Sequence, residues 1–418
     1  MTLKPPPLRD DCFALPAGVN WTPVDEALVL LRDRLAPVTG IETLPLGQAV
    51  GRVLASDVVA RRSNPPQPNT AVDGYGFAGP APQGAQVMDL VEGRAAAGVP
   101  FIGEVPPGKA IRILTGAALP EGVDTVILEE DVSTNGQQIA FHGPLKQGAN
   151  TRRAGEDVAQ GDVILPAGRV ITPADLALAA ATGIAELPVR KALRVGVLST
   201  GDELREAGEA AGLGQIYDAN RPMLLGLLGQ MGVTPVDLGR VGDDRSDLRR
   251  LFDAAAGQVD IILTSGGASA GDEDHVSALL RETGAMQEWR IALKPGRPLA
   301  LGLWQGVPVF GLPGNPVAAL VCTLIFARPA MGVLAGAGWK DPQGFEVPAA
   351  FEKRKKPGRR EYLRARIREG RAEVFKSEGS GRISGLSWAE GLVELGDDAA
   401  HIRLGDPVRF LPYGSFSL

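Results

Sequence analysis

A run of small polar residues, Thr264-Ser265-Gly266-Gly267 with Ser269 shortly after it, is the segment best suited to chemistry. It follows the apolar segment 259–263, which has the composition of a buried parallel strand. Glycines let the backbone approach a bulky oxyanion, and the amides and hydroxyls of such a loop donate to phosphate oxygens. We therefore expect a phosphate-binding loop at the carboxyl edge of an α/β sheet. A surface turn would explain the glycines alone.

Acidic residues follow several predicted strands of this region, where they can bind a divalent cation attached to a phosphate. Asp274 ends the small-residue loop, Asp243 and Asp244 follow another strand, and Glu203 follows the strand before that. Mg²⁺ takes one or two carboxylates together with phosphate oxygens, so not all four acids can be ligands. We assign Asp274, with Asp243 or Asp244, to the metal, and expect Glu203 to lie behind the ligands or to orient the attacking group. For Asp244, capping the helix predicted at Ser246 is an equally good explanation.

Two cations flank a short turn, Lys294-Pro295-Gly296-Arg297-Pro298. Because proline restricts the backbone of this turn, the turn can direct Lys294 and Arg297 at one anion. The alternative is a solvated turn that carries two surface charges.

Composition restricts the class of protein and its partners. With 418 residues the chain is too long for one ordinary core. Its 43 Lys and Arg against 49 Asp and Glu give a net charge of −6, so we expect neither nucleic acid nor a membrane as partner. Two cysteines and three histidines argue against a disulfide framework and a zinc centre. We find no apolar run of ~18 residues and no signal peptide, and expect a cytoplasmic protein.

Hydrophobic patterning indicates a multidomain α/β protein. Strands and helices alternate in one segment, which is typical of a mostly parallel, doubly wound sheet. Elsewhere short strands dominate, and two helices that begin with Thr-Pro, at Thr22 and Thr172, flank a glycine-rich β segment. We therefore predict four domains: a discontinuous helical linker domain (1–64 with 155–192), an inserted β-rich domain (65–154), an α/β domain (193–335) and a small C-terminal β domain (336–418).

Several segments together resemble the MoeA family, whose members insert molybdenum into molybdopterin. They occur in the family's order and are 69–76, 114–126, 153–157, 199–204, 265–274, 294–298 and 312–316. The resemblance implies that the α/β domain is MogA-like and binds molybdopterin. It also implies a transferase that inserts molybdate into adenylylated molybdopterin and releases AMP with the help of Mg²⁺. Such proteins act as homodimers.

The resemblance also implies roles for individual residues. Thr264, Pro298, Pro313 and Asn315 belong to its substrate-binding motifs, together with the small-residue loop. It implies a role in the chemistry for Glu203, Lys294 and Arg297. It further implies that Asp73, Thr115 and Asp157 act at a cleft completed by the second subunit, although Asp73 can also be a simple turn residue.

The C-terminal segment 358–364 resembles the family's G-R-x-E-F-x-R element. Arg360 and Arg364, with Ser384, are therefore further candidates for holding molybdate. Exposed arginines at a strand edge are an equally good explanation.

Three positions depart from the family pattern. Arg297 stands where many members have lysine, which keeps the charge but changes the contact geometry. Gly76 replaces the usual alanine, and Gly385 replaces the second serine of a Ser-Ser-Leu element, which weakens the expectation of oxyanion contacts near Ser384.

Two other functions stay open from the sequence. Molybdopterin adenylylation would need only the α/β domain and would leave the segments of Asp73 and Thr115 unexplained. A non-catalytic dimeric scaffold, the role of the matching region of gephyrin, would need a partner groove that nothing in the sequence marks. A molybdopterin adenylyltransferase or a molybdoenzyme is a possible partner, and the sequence does not separate molybdate from tungstate.

Overall fold

The structure is a computed structural model that describes residues 21–266, 275–282, 287–296 and 298–416, with the backbone alone at 287–290 and Pro298. Residue contacts divide the chain into two compact units. The large unit consists of Met1–Glu42 and Arg190–Leu418, and the inserted unit is Thr43–Val189.

The first half of the chain contains the helix α1 and most of the inserted unit. Its elements are α1 (Val24–Arg34), β1 (Ile41–Pro45), β2 (Val58–Val59), β3 (Asn69–Thr70), β4 (Gly74–Phe77), β5 (Ala81–Ala95), β6 (Lys109–Ile113), β7 (Thr125–Leu128), β8 (Ser133–Thr134), β9 (Gln138–Leu145), β10 (Thr151–Arg152), β11 (Val163–Leu165), α2 (Pro173–Ala181) and β12 (Glu186–Arg190). Within the described chain, β7-β4-β6-β5-β9-β8 form one sheet of the inserted unit.

Strands and helices alternate in the next segment. Its elements are β13 (Arg194–Thr200), β14 (Leu204–Arg205), β15 (Ile216–Tyr217), α3 (Asn220–Gln230), β16 (Thr234–Val241), α4 (Arg245–Ala256), β17 (Ile261–Ser265), α5 (His275–Glu282), β18 (Gln287–Arg290), β19 (Leu293–Lys294), β20 (Pro298–Trp304), β21 (Val307–Leu312), α6 (Pro316–Cys322), a π-helical turn (Thr323–Ala327) and α7 (Arg328–Leu334). The predicted alternation is confirmed.

The C-terminal segment is mainly β. Its elements are β22 (Phe345–Pro348), β23 (Lys353–Lys355), β24 (Arg360–Arg368), β25 (Arg371–Val374), α8 (Ser384–Trp388), β26 (Gly391–Leu395), β27 (Ala400–Ile402) and β28 (Pro407–Pro412).

The central sheet of the large unit has the order β16-β13-β17-β21-β20-β18, and its first four strands are parallel. Side chains alternate between its two faces, as the period of a strand requires. Val195 and Val197 pack in one core with α1, α3, α6 and α7, whereas Leu198 packs in a second core with α4 and α5. The result is a sheet covered by helices on both faces, which is the predicted doubly wound α/β architecture.

The two Thr-Pro helices contribute to different cores. Helix α1 packs in the core of the large unit through Val24, Ala27 and Leu31, whereas α2 packs in a core of the inserted unit. The sequence predicted one linker domain for both helices. They do not share a core, because the apolar side chains of α1 pack with the central sheet and helices of the large unit. The helix starts also differ: Thr172 forms a capping box, but at α1 the cap is Pro23 and no side chain bonds to the helix. The four-domain division stays a prediction.

A long apolar helical stretch fills the core of the large unit. Within the described chain, Pro316–Leu334 has the length and hydropathy of a membrane span, which the sequence analysis did not anticipate. However, 94 % of this stretch is buried inside the protein. It is therefore a core helix, whose buried Arg328 donates to the carbonyl oxygens of Lys340 and Phe416.

The strand that carries Lys294 belongs to the C-terminal sheet. This sheet has the order β19-β24-β26-β28-β22, and Lys294 is the parallel partner of Glu361 on β24. Gly296, at φ 100°, then turns tightly against α6, because a Cβ there would lie 2.9 Å from the Cys322 Sγ. The C-terminal segment thus contributes directly to the surroundings of Lys294.

Candidate functional site

The parallel sheet has a topological switch point between β13 and β17. From β13 the chain runs to β16 at one side, then crosses to β17 on the other side. The chain therefore leaves β13 and β17 toward opposite sides of the sheet, and open α/β sheets bind ligands in the crevice at the carboxyl ends of such strands. The predicted small-residue loop begins here, at Ser265.

Close approach of two loops at this crevice requires glycine at position 266. Gly266 has φ 96°, and a Cβ there would lie 2.8 Å from the Thr200 carbonyl oxygen and 2.9 Å from its hydroxyl. Thr264 and Ser265 precede it in the buried strand. Gly267 and Ser269, predicted for the same loop, lie outside the described residues.

Asn220, which the sequence analysis missed, joins two loops at the crevice. Its Nδ2 donates to the Ser265 Oγ at 2.7 Å and to the Gly314 carbonyl oxygen at 2.7 Å. Its own Oδ1 is buried and accepts no hydrogen bond in the part of the chain that the structure describes. The sequence alone does not distinguish Asn220 from other polar residues that begin a helix.

The loop after β21 completes this edge. Gly314 lies beside Gly266, since a Cβ on Gly314 would be 3.9 Å from the Gly266 Cα. Pro313 is buried, whereas Asn315 is exposed and its side chain does not cap α6. The side chain of Pro298 is not described. The predicted residues Ser265, Gly266, Pro313 and Asn315 are therefore brought together.

The acids at this edge divide into two groups. Asp243 is exposed and exchanges backbone–carboxylate hydrogen bonds with Asp202 at 3.1 and 3.3 Å. Glu203 is also exposed, with its carboxylate folded back over Gly201. Asp244 instead caps α4, because its Oδ1 accepts from the backbone amides of Ser246 and Asp247. A further hydrogen bond from the Ser246 hydroxyl, at 2.5 Å, lowers the pKa of Asp244.

The structure shows which metal ligands can be considered. Among the described residues no three His, Cys, Asp or Glu side chains gather as a metal site, and Asp274 lies outside them. The carboxylate of Asp243 is exposed and accepts a hydrogen bond from the Asp202 amide, so it suits Mg²⁺ that takes most of its ligands from phosphate and water. Asp244 fits this role less well, because its carboxylate holds the helix.

Lys294 lines a separate cavity of ≈ 220 Å³ in the large unit, together with Lys353, Arg364 and Glu378. Its Nζ lies 2.6 Å from a Glu378 oxygen and 3.5 Å from Glu361. Arg297, its predicted companion, lies outside the described residues.

The C-terminal arginines differ in role. Arg364 lines the cavity of Lys294, but its guanidinium donates to the carbonyl oxygens of Ser377, Gly379 and Arg382, and burial lowers its pKa. Arg360 is instead held by Asp25 at 2.7 and 2.8 Å and by Asp397 at 3.0 Å.

Arg360 does not line the cavity of Lys294, and neither does Ser384, which is exposed at the start of α8. Of the three predicted molybdate contacts, only Arg364 therefore lies beside Lys294.

Two departures from the family pattern have steric reasons. A Cβ at Gly385 would lie 2.5 Å from the Arg364 Nη1, so this glycine leaves space for the guanidinium. A Cβ at Gly76 would lie 2.7 Å from a methyl group of Val123.

Asp73 and Thr115 meet in the inserted unit. The Asp73 Oδ1 accepts hydrogen bonds from the Thr115 hydroxyl at 2.5 Å and the Thr115 amide at 2.7 Å, which hold the pKa of Asp73 below its usual range. The Asp157 carboxylate instead accepts a hydrogen bond from the side-chain amide of Asn64 at 3.0 Å. The unit thus brings two of its three predicted residues into direct contact.

Family models match most of the chain. The MoeA N-terminal region (domain I and II) matches residues 22–183, the probable molybdopterin binding domain 196–332, and the MoeA C-terminal region (domain IV) 346–413.

Individual relatives agree with these matches. Molybdopterin molybdenumtransferase of Haemophilus influenzae is 37 % identical over 93 % of this chain and 98 % of its own. Molybdopterin molybdenumtransferase 2 of Mycobacterium tuberculosis is 35 % identical over 87 % and 93 %. The crystal structure of the molybdopterin biosynthesis moeA protein from Pyrococcus horikoshii superposes with a TM-score of 0.83 at 31 % identity, covering 94 % of this chain and all of that one.

Replacing Gly266 by alanine should destabilise the large unit. The new methyl group would contact the Thr200 carbonyl oxygen in a left-handed backbone conformation, at a cost of ~1–3 kcal/mol in the free energy of unfolding. The control is Gly229→Ala in α3, where a Cβ meets nothing within 4 Å and alanine should stabilise by ~1 kcal/mol. Urea denaturation measures both, and equal effects of the two variants would contradict the proposed close approach.

Thr115→Val should raise the pKa of Asp73 toward its ordinary value, because the hydroxyl bond to the carboxylate is lost. A lowered pKa stabilises the fold above the unfolded pKa, and this stabilisation is lost as pH falls through the folded value. The free energy of unfolding of the variant should therefore depend less on pH in the acid range. NMR titration of the carboxyl carbons tests this, with Asp124 as internal control; an unchanged Asp73 would contradict it.

Proposed function

The chain belongs to the MoeA family of molybdopterin molybdenumtransferases, and from this premise we propose that it inserts molybdate into adenylylated molybdopterin with release of AMP. It is an enzyme of molybdenum cofactor biosynthesis. The observation that best supports the proposed reaction is the switch-point crevice, where the loops after β13, β17 and β21 approach one another and Asn220 orients the Ser265 hydroxyl.

The crevice suits the phosphate part of the substrate. Ser265 is oriented by the Asn220 amide, and because its Oγ accepts that bond, its own proton is free to be donated. Gly266 and Gly314 leave the backbone open for a bulky oxyanion, and Asn315 adds an exposed amide side chain. Thr264, Gly267, Ser269, Pro298 and Pro313 complete the proposed substrate contacts.

Mg²⁺ is proposed at the same edge. Asp243 offers an exposed carboxylate on the loop after β16, and Asp274 stays a second candidate outside the described residues. When bound, the ion would neutralise phosphate charge as AMP departs. Glu203, on the neighbouring loop, would position the attacking water.

The cation-lined cavity is the proposed entry site for molybdate. Lys294 and Arg364 line it, and Arg297 follows Lys294 on the same turn. Several cations near a tetrahedral dianion bind it through charge-assisted hydrogen bonds. Arg360 and Ser384 are not needed for this step.

Asp243→Asn should reduce AMP release by ~10²-fold, because the neutral amide loses the metal-binding charge. The assay incubates purified protein with adenylylated molybdopterin, Mg²⁺ and molybdate, and measures AMP and molybdenum cofactor. The control is Asp244→Asn, since asparagine caps a helix as well as aspartate and should leave the rate unchanged.

Two results would contradict the proposal. Equal losses in both variants would remove the metal role of Asp243. Formation of adenylylated molybdopterin from molybdopterin and ATP, without molybdate-dependent AMP release, would instead identify an adenylyltransferase.

We also propose a homodimer in which Asp73, Thr115 and Asp157 of one subunit face the crevice of the other. The Asp73–Thr115 pair supports this proposal. Thr115 holds the Asp73 carboxylate in one orientation, and both residues belong to the inserted unit, far along the sequence from the crevice residues. In a symmetric dimer each site would then take residues from both chains.

Mixing Asp73→Asn with Asp243→Asn subunits should restore activity that neither variant has alone. In a mixed dimer one site would combine both defects, while the other would be intact. Refolding the two variants together and measuring AMP release tests this. A mixture as inactive as its parts would show that both residues act within one chain or not at all.

A further inference from the structure

Four charged side chains form a closed ring at the cavity of Lys294. Lys294 contacts Glu378 at 2.6 Å and Glu361 at 3.5 Å, and Lys353 contacts Glu361 at 3.1 Å as well as the second oxygen of Glu378. We call these four residues the Lys–Glu ring. Two ammonium and two carboxylate groups leave the ring with no net charge.

The ring is unequally exposed to solvent. The side chains of Glu361 and Lys353 are 8 % and 11 % exposed, whereas that of Glu378 is 45 % exposed. Removing Glu361 from its partners would leave buried charges unpaired, which is costly. Glu378 can turn into water at small cost, so it is the member that can leave.

The loop that carries Glu378 is held in place by Arg364. The guanidinium of Arg364 donates to the carbonyl oxygens of Ser377, Gly379 and Arg382, on both sides of Glu378. Its hydrogen-bonding capacity is therefore largely used by the loop. The two lysines are then the cations whose partner can be exchanged for an incoming anion.

The position of Glu378 is that of an anion bound by two ammonium groups. Each of its carboxylate oxygens contacts one lysine. A tetrahedral dianion also presents two oxygens to two donors, and the cavity of ≈ 220 Å³ far exceeds the ~10–15 Å³ that one water needs.

We propose that Glu378 occupies an oxyanion site between Lys294 and Lys353 and must leave it when a tetrahedral dianion binds. Lys353 is then an additional oxyanion-binding residue, and Glu378 sets the affinity. The identification of the dianion as molybdate rests on the proposed function. Because Glu378 competes for the site, the apparent affinity for the dianion falls in proportion to the fraction of molecules in which Glu378 has left the site.

Glu378→Gln should tighten molybdate binding by ~10-fold, because the uncharged amide no longer competes for the two lysines. Titration calorimetry with sodium molybdate and the full-length protein measures this. The matched control is Glu352→Gln, which removes the same charge from the lining of the same cavity but outside the ring. Equal tightening by both variants, or none by Glu378→Gln, would overturn the proposal.

Lys353→Met should weaken molybdate binding by ~10-fold, and Lys353→Arg should retain most of it because the charge is kept. Equal binding by the two variants would remove Lys353 from the site. AMP release by the wild type is measured in parallel. Normal AMP release with unchanged affinities in all variants rejects the anion site between the two lysines but keeps the proposed reaction. Tightened binding by Glu378→Gln without AMP release by the wild type rejects the proposed reaction and keeps the anion site.

Discussion

The close approach of three backbone loops at the carboxyl edge of the parallel sheet is the constraint on which the rest of the site depends. Gly266 fits against Thr200 only without a side chain, and Asn220 then joins the Ser265 hydroxyl to the Gly314 carbonyl oxygen. The buried strands fix where these loops begin, because β13, β17 and β21 are paired in register up to their last residues. Preorganised donors lose little entropy when a ligand binds, so a crevice built in this way suits the proposed phosphate contacts.

The second site depends on a different principle, which is the balance of charge. Lys294 extends from a strand paired with β24, so its neighbour Glu361 is fixed by the register of the sheet and not by local sequence. Lysines buried without counter-charge would be costly, and the two glutamates remove that cost. The same neutralisation opposes the binding of a dianion. A partner that is half-exposed, such as Glu378, combines stability of the empty site with exchange for a ligand.

The candidate site residues are distributed over the two units of the chain. The candidate phosphate-binding loops, the acids after β13 and β16, and the two lysines lie in the large unit, whereas the Asp73–Thr115 pair lies in the inserted unit. In the inserted unit the hydroxyl and the backbone amide of Thr115 lower the pKa of Asp73 and so favour its charged form.

The sequence by itself determined the alternation of strands and helices, the positions of the glycines and the family. These follow from local periodicity and short motifs, which involve residues close together in the chain. Only the tertiary structure decided that α1 joins the large unit, that Asp244 caps a helix and that Arg360 is held by Asp25. It alone also shows that Asn220 joins two loops and that Lys353 and Glu378 close a ring with Lys294. Each of these depends on partners far apart in the chain, and long-range pairing and burial leave no pattern in the local spacing of residues.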